Sequence, residues 1–200
     1  MARNIGAGNG IFNLGTFGSG VEWLQDFLFD RFRILATNPL STNLFRNLPN
    51  SQRNGVNLTQ FDTNVKNPQV PVKQKWYLWN LYILWQTATA VSDAIEQAFL
   101  SYTQATLISF KIENLDVMFS APLSFFKPTQ QIVTAPAVTV NSRLPQQDNQ
   151  SPQKAFKIPQ VLEENAIWYM TLDQQAASAA GLDNSFLLFA WDREMYRLAG

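Results

Sequence analysis

The sequence contains no histidine and no cysteine. Without imidazole it lacks the commonest general base, the commonest metal ligand and the catalytic arrangements that pair histidine with serine or cysteine. Without thiols it cannot form disulfides, thiolate metal sites or iron–sulfur clusters. Its acidic residues do not occur at the spacing of a calcium-binding loop. We therefore expect a protein that is not an enzyme, with no catalytic residues, no cofactor and no metal site.

Charge is scarce as well. Lys and Arg number 15, Asp and Glu number 15, and charged residues make up 15% of the chain, against about 25% in a typical soluble domain. The net charge of zero gives no field that would attract nucleic acid, and no basic run is interleaved with aromatic residues. Because weakly charged surfaces repel one another little, this composition favours association with other protein subunits and indicates no specific nucleic-acid binding.

Signals for export or membrane insertion are also missing. Residues 1–20 have no basic stretch that leads into a continuous apolar run, so we expect no signal peptide. No window reaches about 18 consecutive apolar residues. The best candidate, Trp76 to Trp85, is interrupted by Asn80. We therefore expect no clear transmembrane helix, and contact with a membrane is disfavoured.

Glycine is concentrated at the N-terminus, where residues 1–20 hold six of the nine glycines. Glycine at this density weakens helices and strands alike, so the sequence predicts an N-terminal arm over residues 1–20. This arm also carries Ile11, Phe12 and Phe17, which an inert polar tail would not contain. We predict that these three side chains contact another protein surface.

Residues 21–72 are predicted to form a helix and an extended connection. Ser19 can cap a helix that reaches Leu35, with Trp23 and Phe27 on its apolar stripe. Beyond this helix the chain loses hydrophobic periodicity and contains four prolines, Pro39, Pro49, Pro68 and Pro71. Such a stretch predicts irregular structure that neighbouring chains would help to order.

The segment from Lys75 to Tyr102 is the most aromatic part of the chain. Apolar residues recur there at alternating intervals of four and three, which predicts one long helix with a heptad repeat. Its first third is apolar nearly all round and includes Trp76, Trp79, Ile83 and Trp85. Such a surface must be enclosed by the chain's own core, by other subunits or by lipid.

A second interpretation of this segment stays open. Asp93 and Glu96 can form a capping box that opens a shorter helix. The tryptophan-rich stretch before that helix and the stretch from Ala105 onward would then be strands. The sequence does not choose between one long helix and strands that flank a short one.

Strand patterns dominate from Thr106 onward. Short stretches rich in β-branched and aromatic residues predict strands, among them FKIPQVL, AIWYMTLD and SFLLFAW. The sequence therefore predicts an α+β fold, in which a long aromatic-rich helix accompanies short antiparallel strands, a glycine-rich N-terminal arm and extended loops. We divide it into an arm at 1–20, a helix with a proline-containing connection at 21–72, and a main α+β domain at 73–200.

These features together favour a non-enzymatic structural subunit of a large multi-protein assembly. The expected setting is a virus or phage particle, as a capsid or other virion structural protein, and otherwise the cytoplasm. Its partners would be other protein subunits of the same assembly, either copies of this chain or different proteins. The residues predicted to contact them are Ile11, Phe12, Phe17, Trp23, Phe27, Trp76, Trp79, Ile83 and Trp85.

Two other classes of protein stay open. A soluble ligand-binding module could use the region from Trp76 to Phe119 to hold an aromatic, sugar or nucleotide ligand, since aromatic side chains line such sites. A peripheral membrane-associated protein could place Val21 to Leu35, or Trp76 to Trp85, at the membrane interface.

Overall fold

The structure is a computed structural model, and nearly all of the residues that it describes belong to two β-sheets or to the loops and one helix that join them. The described residues are 12–17, 21–35, 37–87, 92–113, 115, 117–132, 154–175, 182, 183 and 185–198.

The larger sheet has six strands, with one long strand at its centre. They are β1 (Phe12–Phe17), β2 (Val21–Arg33), β6 (Gln74–Thr87), β9 (Thr129–Ile132), β10 (Lys154–Leu162) and β12 (Ser185–Leu198). Their order is β1-β2-β12-β6-β10, and β9 pairs with β6 on the same edge as β10. The β6–β9 pair is parallel, whereas the other pairs of this sheet are antiparallel. β12 therefore holds two long strands together, because it pairs with β2 and β6 along nearly its whole length.

The smaller sheet has four shorter strands. They are β3 (Ser41–Leu44), β7 (Thr106–Ile112), β8 (Val117–Pro122) and β11 (Trp168–Gln174), in the order β3-β11-β7-β8. A separate hairpin joins β4 (Gln52–Arg53) to β5 (Val56–Asn57) through Asn54 and Gly55, which both have positive φ. The helix α1 (Asp93–Gln104) lies between β6 and β7, and a 3₁₀ turn (Leu123–Phe126) follows β8.

Aromatic side chains fill the space between the two sheets. The ring of Trp191, on the central strand β12, lies 5.7 Å from that of Phe110 on β7. The Trp191 indole also donates a hydrogen bond to the sulfur of Met170 on β11, at 3.3 Å. Where β6 ends, Trp85 stacks on Phe99 of α1 with 4.0 Å between ring centroids. These contacts make one core, which the helix closes at one end.

The chain alternates between the sheets in a recognisable order. The strands β2, β12, β6 and β10 face β3, β11, β7 and β8, so consecutive strands from β2 to β12 mostly lie in opposite sheets. This interleaving of eight strands in two sheets is the arrangement of a jelly roll. β1, β9 and α1 are additions to that frame.

The predicted α+β fold is wrong, because the structure is mostly β-sheet and has a single α-helix among the described residues. The predicted first helix is the strand β2, along which Leu28, Asp30 and Phe32 are buried while Phe27 is exposed. Both faces of β2 carry apolar side chains, so apolar residues occur at helical as well as strand spacings. The glycine-rich arm contains a strand too, since β1 pairs with β2.

The predicted long helix at Lys75 to Tyr102 is also wrong. β6 spans most of its first half, and Leu78, Leu81 and Ile83 of this strand are completely buried. A β-bulge shifts the register of β6 against β12 between Leu78 and Leu81. This extra residue breaks the period of two, so the inward residues follow no single spacing along the strand.

The second interpretation of this segment is the one that the structure has. A short helix, α1, begins at Asp93, and strands precede and follow it. Its N-cap is Ser92, whose side chain accepts a hydrogen bond from the amide of Ile95 at 3.4 Å. The capping residue therefore lies one position before the predicted one.

Hydrogen bonds to β2 fix the proline-containing connection in place. Beyond β1, the edge of β2 is covered by Asn64, whose side chain accepts from the amide of Phe29 at 2.8 Å and donates to the carbonyl of Phe27 at 2.6 Å. The division into residues 1–20, 21–72 and 73–200 stays a prediction.

A buried ion pair also joins this connection to β2. The carboxylate of Asp30, on the inner face of β2, accepts hydrogen bonds from Arg53 of β4 and from the amide of Phe45, both at 2.6 Å. Asp30 is fully buried, and its other carboxylate oxygen has no hydrogen-bond partner among the described residues. Burial raises the pKa of Asp30 above its ordinary value, against the opposing effect of the Arg53 guanidinium.

We expect Arg53→Ala to lower the free energy of unfolding by about 3–5 kcal/mol at neutral pH, because it leaves the Asp30 carboxylate buried and unpaired. The raised pKa means that the folded state holds this proton more tightly than the unfolded chain. Stability from this group is therefore greatest at acid pH and is lost as pH rises through the folded pKa. Urea unfolding at several pH values checks this. The loss of unfolding free energy caused by Arg53→Ala should be smaller at low pH, and smaller again when Asp30→Asn is already present. A loss that is the same at every pH and in both backgrounds would contradict this account of the ion pair.

Candidate interaction surface

The three long strands present a second apolar surface on the side of the larger sheet that faces away from the core. We call this surface the outer face. It consists of six rows of residues lying side by side on β2, β12 and β6. In order, the rows are Trp23, Tyr196 and Lys75; Gln25, Glu194 and Tyr77; Phe27, Asp192 and the bulge pair Trp79 and Asn80; Phe29, Ala190 and Tyr82; Arg31, Leu188 and Leu84; and Arg33, Phe186 and Gln86.

Aromatic rings cluster in the first four rows of the outer face. The Trp23 ring lies 5.3 Å from that of Tyr196 and 6.0 Å from that of Tyr77. Further along, the rings of Phe27 and Tyr82 are 6.2 Å apart. Phe27 is 49% exposed, a large fraction for a phenylalanine within a long strand. The neighbouring strands thus hold these rings in fixed positions while part of their surface stays accessible.

Polar groups on the outer face are satisfied locally. The carboxylate of Asp192 accepts hydrogen bonds from the Asn80 amide at 2.5 Å and from the Tyr82 hydroxyl at 3.3 Å. Partial burial, and then the nearby Asp192 charge, raise the pKa of Tyr82 to about 12, so this hydroxyl remains a donor at neutral pH. The Trp79 indole donates to Glu194 at 3.0 Å. Because these groups already have partners, burying the outer face would leave few of them unsatisfied.

The predicted interaction residues divide between the two sides of the larger sheet. Trp23, Phe27 and Trp79 lie on the outer face. Trp76, Ile83 and Trp85 are instead buried on the inner side. Phe12 and Phe17 are the end residues of β1, and nothing is described of their side chains, while Ile11 lies outside the described residues.

Sequence reasoning missed other residues of the outer face, including Phe29, Tyr82, Leu84 and Leu188. The sequence did carry a signal for these residues, because the stretches that form β2 and β6 are apolar at both odd and even positions. In a sheet with one face in solvent, polar residues would take alternate positions. Strands without this alternation in an antiparallel sheet indicate that both faces are covered or available for contact.

A cleft of about 690 Å³ is lined by residues of β2, β6 and β12 and of the connection before β6, among them Asp26, Trp76 and Arg193 of the inner side. The Arg193 guanidinium lies 4.3 Å from the centre of the Trp76 ring and makes two hydrogen bonds to the Asp26 carboxylate, one of 2.7 Å. Lys66 and Met195 also line the cleft. Here Trp76 is part of a partly charged cleft wall and contributes nothing to the outer face.

Within the described residues, no group of three or more acidic side chains is placed to hold a metal ion. In that same part of the chain, no helix has the length and apolar character needed to cross a membrane. The predicted amphipathic helix from Val21 to Leu35 is a strand, so a membrane-surface helix does not form there.

The chain matches no protein-family model, and a search of curated proteins finds no match to it. The features that bear on function are therefore those of the structure itself.

Leu84 and Trp85 are adjacent residues on opposite faces of β6, so they test the assignment of the outer face. We expect Trp85→Ala to cost about 3–5 kcal/mol of unfolding free energy, because it removes a buried ring that stacks on Phe99. Leu84→Thr, which introduces a β-branched residue that suits a strand, should cost less than about 1 kcal/mol. Urea unfolding measures both. Equal costs would mean that the outer face is packed like a core.

Proposed function

We propose that the chain is a non-enzymatic structural subunit of a large multi-protein assembly, which contacts neighbouring subunits through the outer face. The observation that carries this proposal is the apolar, aromatic outer face of the three central strands. Its rings are ordered by the sheet but are not packed against the hydrophobic core.

The size of the outer face supports contact with protein. Three strands at about 4.8 Å spacing are about 14 Å wide, and six rows that lie two residues apart extend for about 40 Å. The outer face thus covers roughly 560 Å², and apolar patches above a few hundred Å² mark interaction sites on soluble proteins. The low proportion of charged residues also favours contact with protein, because weakly charged surfaces repel one another little.

The fold is compatible with a virus or phage particle as the assembly. Jelly rolls occur in viral capsid proteins, but also in lectins and cupins. Fold alone does not identify function, so the jelly roll supports the virion setting only together with the outer face. A second apolar strip near the β7–β8 hairpin includes Leu115, Val117 and Met118, each about half exposed or more. A subunit of a closed shell needs more than one contact surface of this kind.

A ligand-binding module is the second candidate, and the cleft beside Trp76 favours it. Its volume of about 690 Å³ falls within the range of small-molecule sites. Lys66 and Arg193 on its wall would suit an anionic ligand such as a nucleotide. Titration of nucleotides against tryptophan fluorescence tests this candidate, with Lys66→Ala as the variant that should weaken binding.

We expect the purified chain to self-associate as its concentration rises, as measured by light scattering. The double variant Phe27→Asn and Leu188→Thr should stay monomeric, because it makes the third and fifth rows of the outer face polar. The matched control is Phe61→Asn, which removes a phenylalanine that is 76% exposed on a loop outside the outer face.

Association that persists in the double variant would contradict the proposed role of the outer face. A wild-type chain that stays monomeric at every concentration would contradict self-assembly altogether.

A further inference from the structure

From the second row to the sixth, the charged residues of the outer face form two groups of opposite sign, and the first row carries the basic Lys75. Glu194 and Asp192 lie in the second and third rows, whereas Arg31 and Arg33 lie in the fifth and sixth rows. The fourth row, with Phe29, Ala190 and Tyr82, carries no charge. From the second row to the sixth, the charges are therefore negative, negative, neutral, positive and positive.

This order makes the outer face complementary to itself in one orientation. A two-fold axis that lies in the plane of contact, runs across the strands and passes through the fourth row places the second row over the sixth and the third over the fifth. Each acidic row then faces a basic row. A two-fold axis parallel to the strands would instead place every row over itself, with like charges together, which disfavours that dimer.

We propose that the occupant of the outer face is a second copy of this chain, packed face to face with antiparallel strands about the axis through the fourth row. This inference rests on the proposed function, and it names the neighbouring subunit and its orientation. In this dimer Arg33 lies above Gln25 of the second copy, with Glu194 of that copy one strand away. At about 4.8 Å between strands, the long arginine side chain reaches the carboxylate.

The area of contact is close to that of the smallest specific interfaces. Five of the six rows overlap in this dimer, over about 34 Å by about 14 Å, so each copy contributes roughly 480 Å² and the two bury about 960 Å², near the approximately 1,000 Å² expected of a specific interface. The rings of the second, third and fourth rows would supply the aromatic anchors that dominate binding energy at such interfaces.

Neighbouring groups in each copy modulate these charges. The Lys75 ammonium of the first row lies 2.5 Å from Glu163, and this row has no opposing row in the dimer. Arg31 lies 3.7 Å from Asp62 and 3.7 Å from the centre of the Phe186 ring, so part of its charge is already balanced. Arg33 is exposed, which makes it and Glu194 the charges whose reversal reports the pairing most clearly.

Cross-linking of single cysteines tests the position of the axis, because the native chain has no cysteine. Ala190→Cys places a thiol near the axis on the central strand. Packed sheets lie about 10 Å apart, too far for a disulfide, so a short bis-maleimide is the suitable reagent. We expect it to give a covalent dimer. Gln25→Cys is the control, since its two copies would lie about 27 Å apart along the strands and should not cross-link.

Charge reversal tests the orientation independently. We expect Arg33→Glu and Glu194→Arg each to raise the dimer dissociation constant about tenfold, by placing like charges together, and the double variant to recover most of the affinity. Sedimentation velocity measures the constants, and circular dichroism checks that each variant is folded.

The possible outcomes separate this inference from the proposed function. If the chain self-associates through the outer face, but Ala190→Cys gives no dimer or Gln25→Cys gives an equal yield, the antiparallel pairing is overturned while the subunit function stands. Single reversals that leave the affinity unchanged would also overturn the pairing. If the chain does not self-associate at all, the antiparallel pairing and self-assembly both fail, and of the proposed function only contact with different proteins through the outer face would stand. An Ala190→Cys dimer, together with rescue in the double reversal, supports both.

Discussion

The structure depends on the pairing of β12 with β2 on one side and with β6 on the other. These strands are longer than those of the facing sheet, and all three are paired along nearly their whole length. The inner side of this ribbon forms most of the core, around Trp191 and Trp85. Its other side cannot be polar throughout, because the strands carry apolar residues at both odd and even positions. The outer face is the consequence of that constraint.

Some of the fold could be predicted from local sequence. The strands β10, β11 and β12 overlap the stretches FKIPQVL, AIWYMTLD and SFLLFAW, although β12 continues beyond its stretch to Leu198. The short helix follows from a polar cap before an amphipathic run. β2 and β6 could not be assigned by period, since a strand that is apolar on both faces also satisfies a helical repeat. The bulge at Trp79 and Asn80 removed the remaining alternation. The Asn54-Gly55 pair was a usable hairpin signal within a stretch predicted to be irregular.

The sequence analysis selected interaction residues because they are large and apolar. It could not predict which side of the sheet each of them occupies. Large aromatic residues anchor both cores and interfaces, so composition alone places Trp79 and Trp85 in one group. Strand geometry separates them, with Trp79 on the outer face and Trp85 stacked on Phe99 inside. The separation of acidic from basic rows is a property of register between distant strands. No local pattern in the sequence could show it.

The measurement that tests the central claim most directly is hydroxyl-radical footprinting of the wild-type chain at low and high concentration, read by mass spectrometry. Phe27 and Phe61 are both exposed in the single chain, at 49% and 76%, but only Phe27 lies on the outer face. We predict that Phe27 loses reactivity as concentration rises, in step with the mass from light scattering, while Phe61 keeps its reactivity. If the chain associates and Phe27 remains as reactive as before, the outer face is not the surface through which the subunits meet.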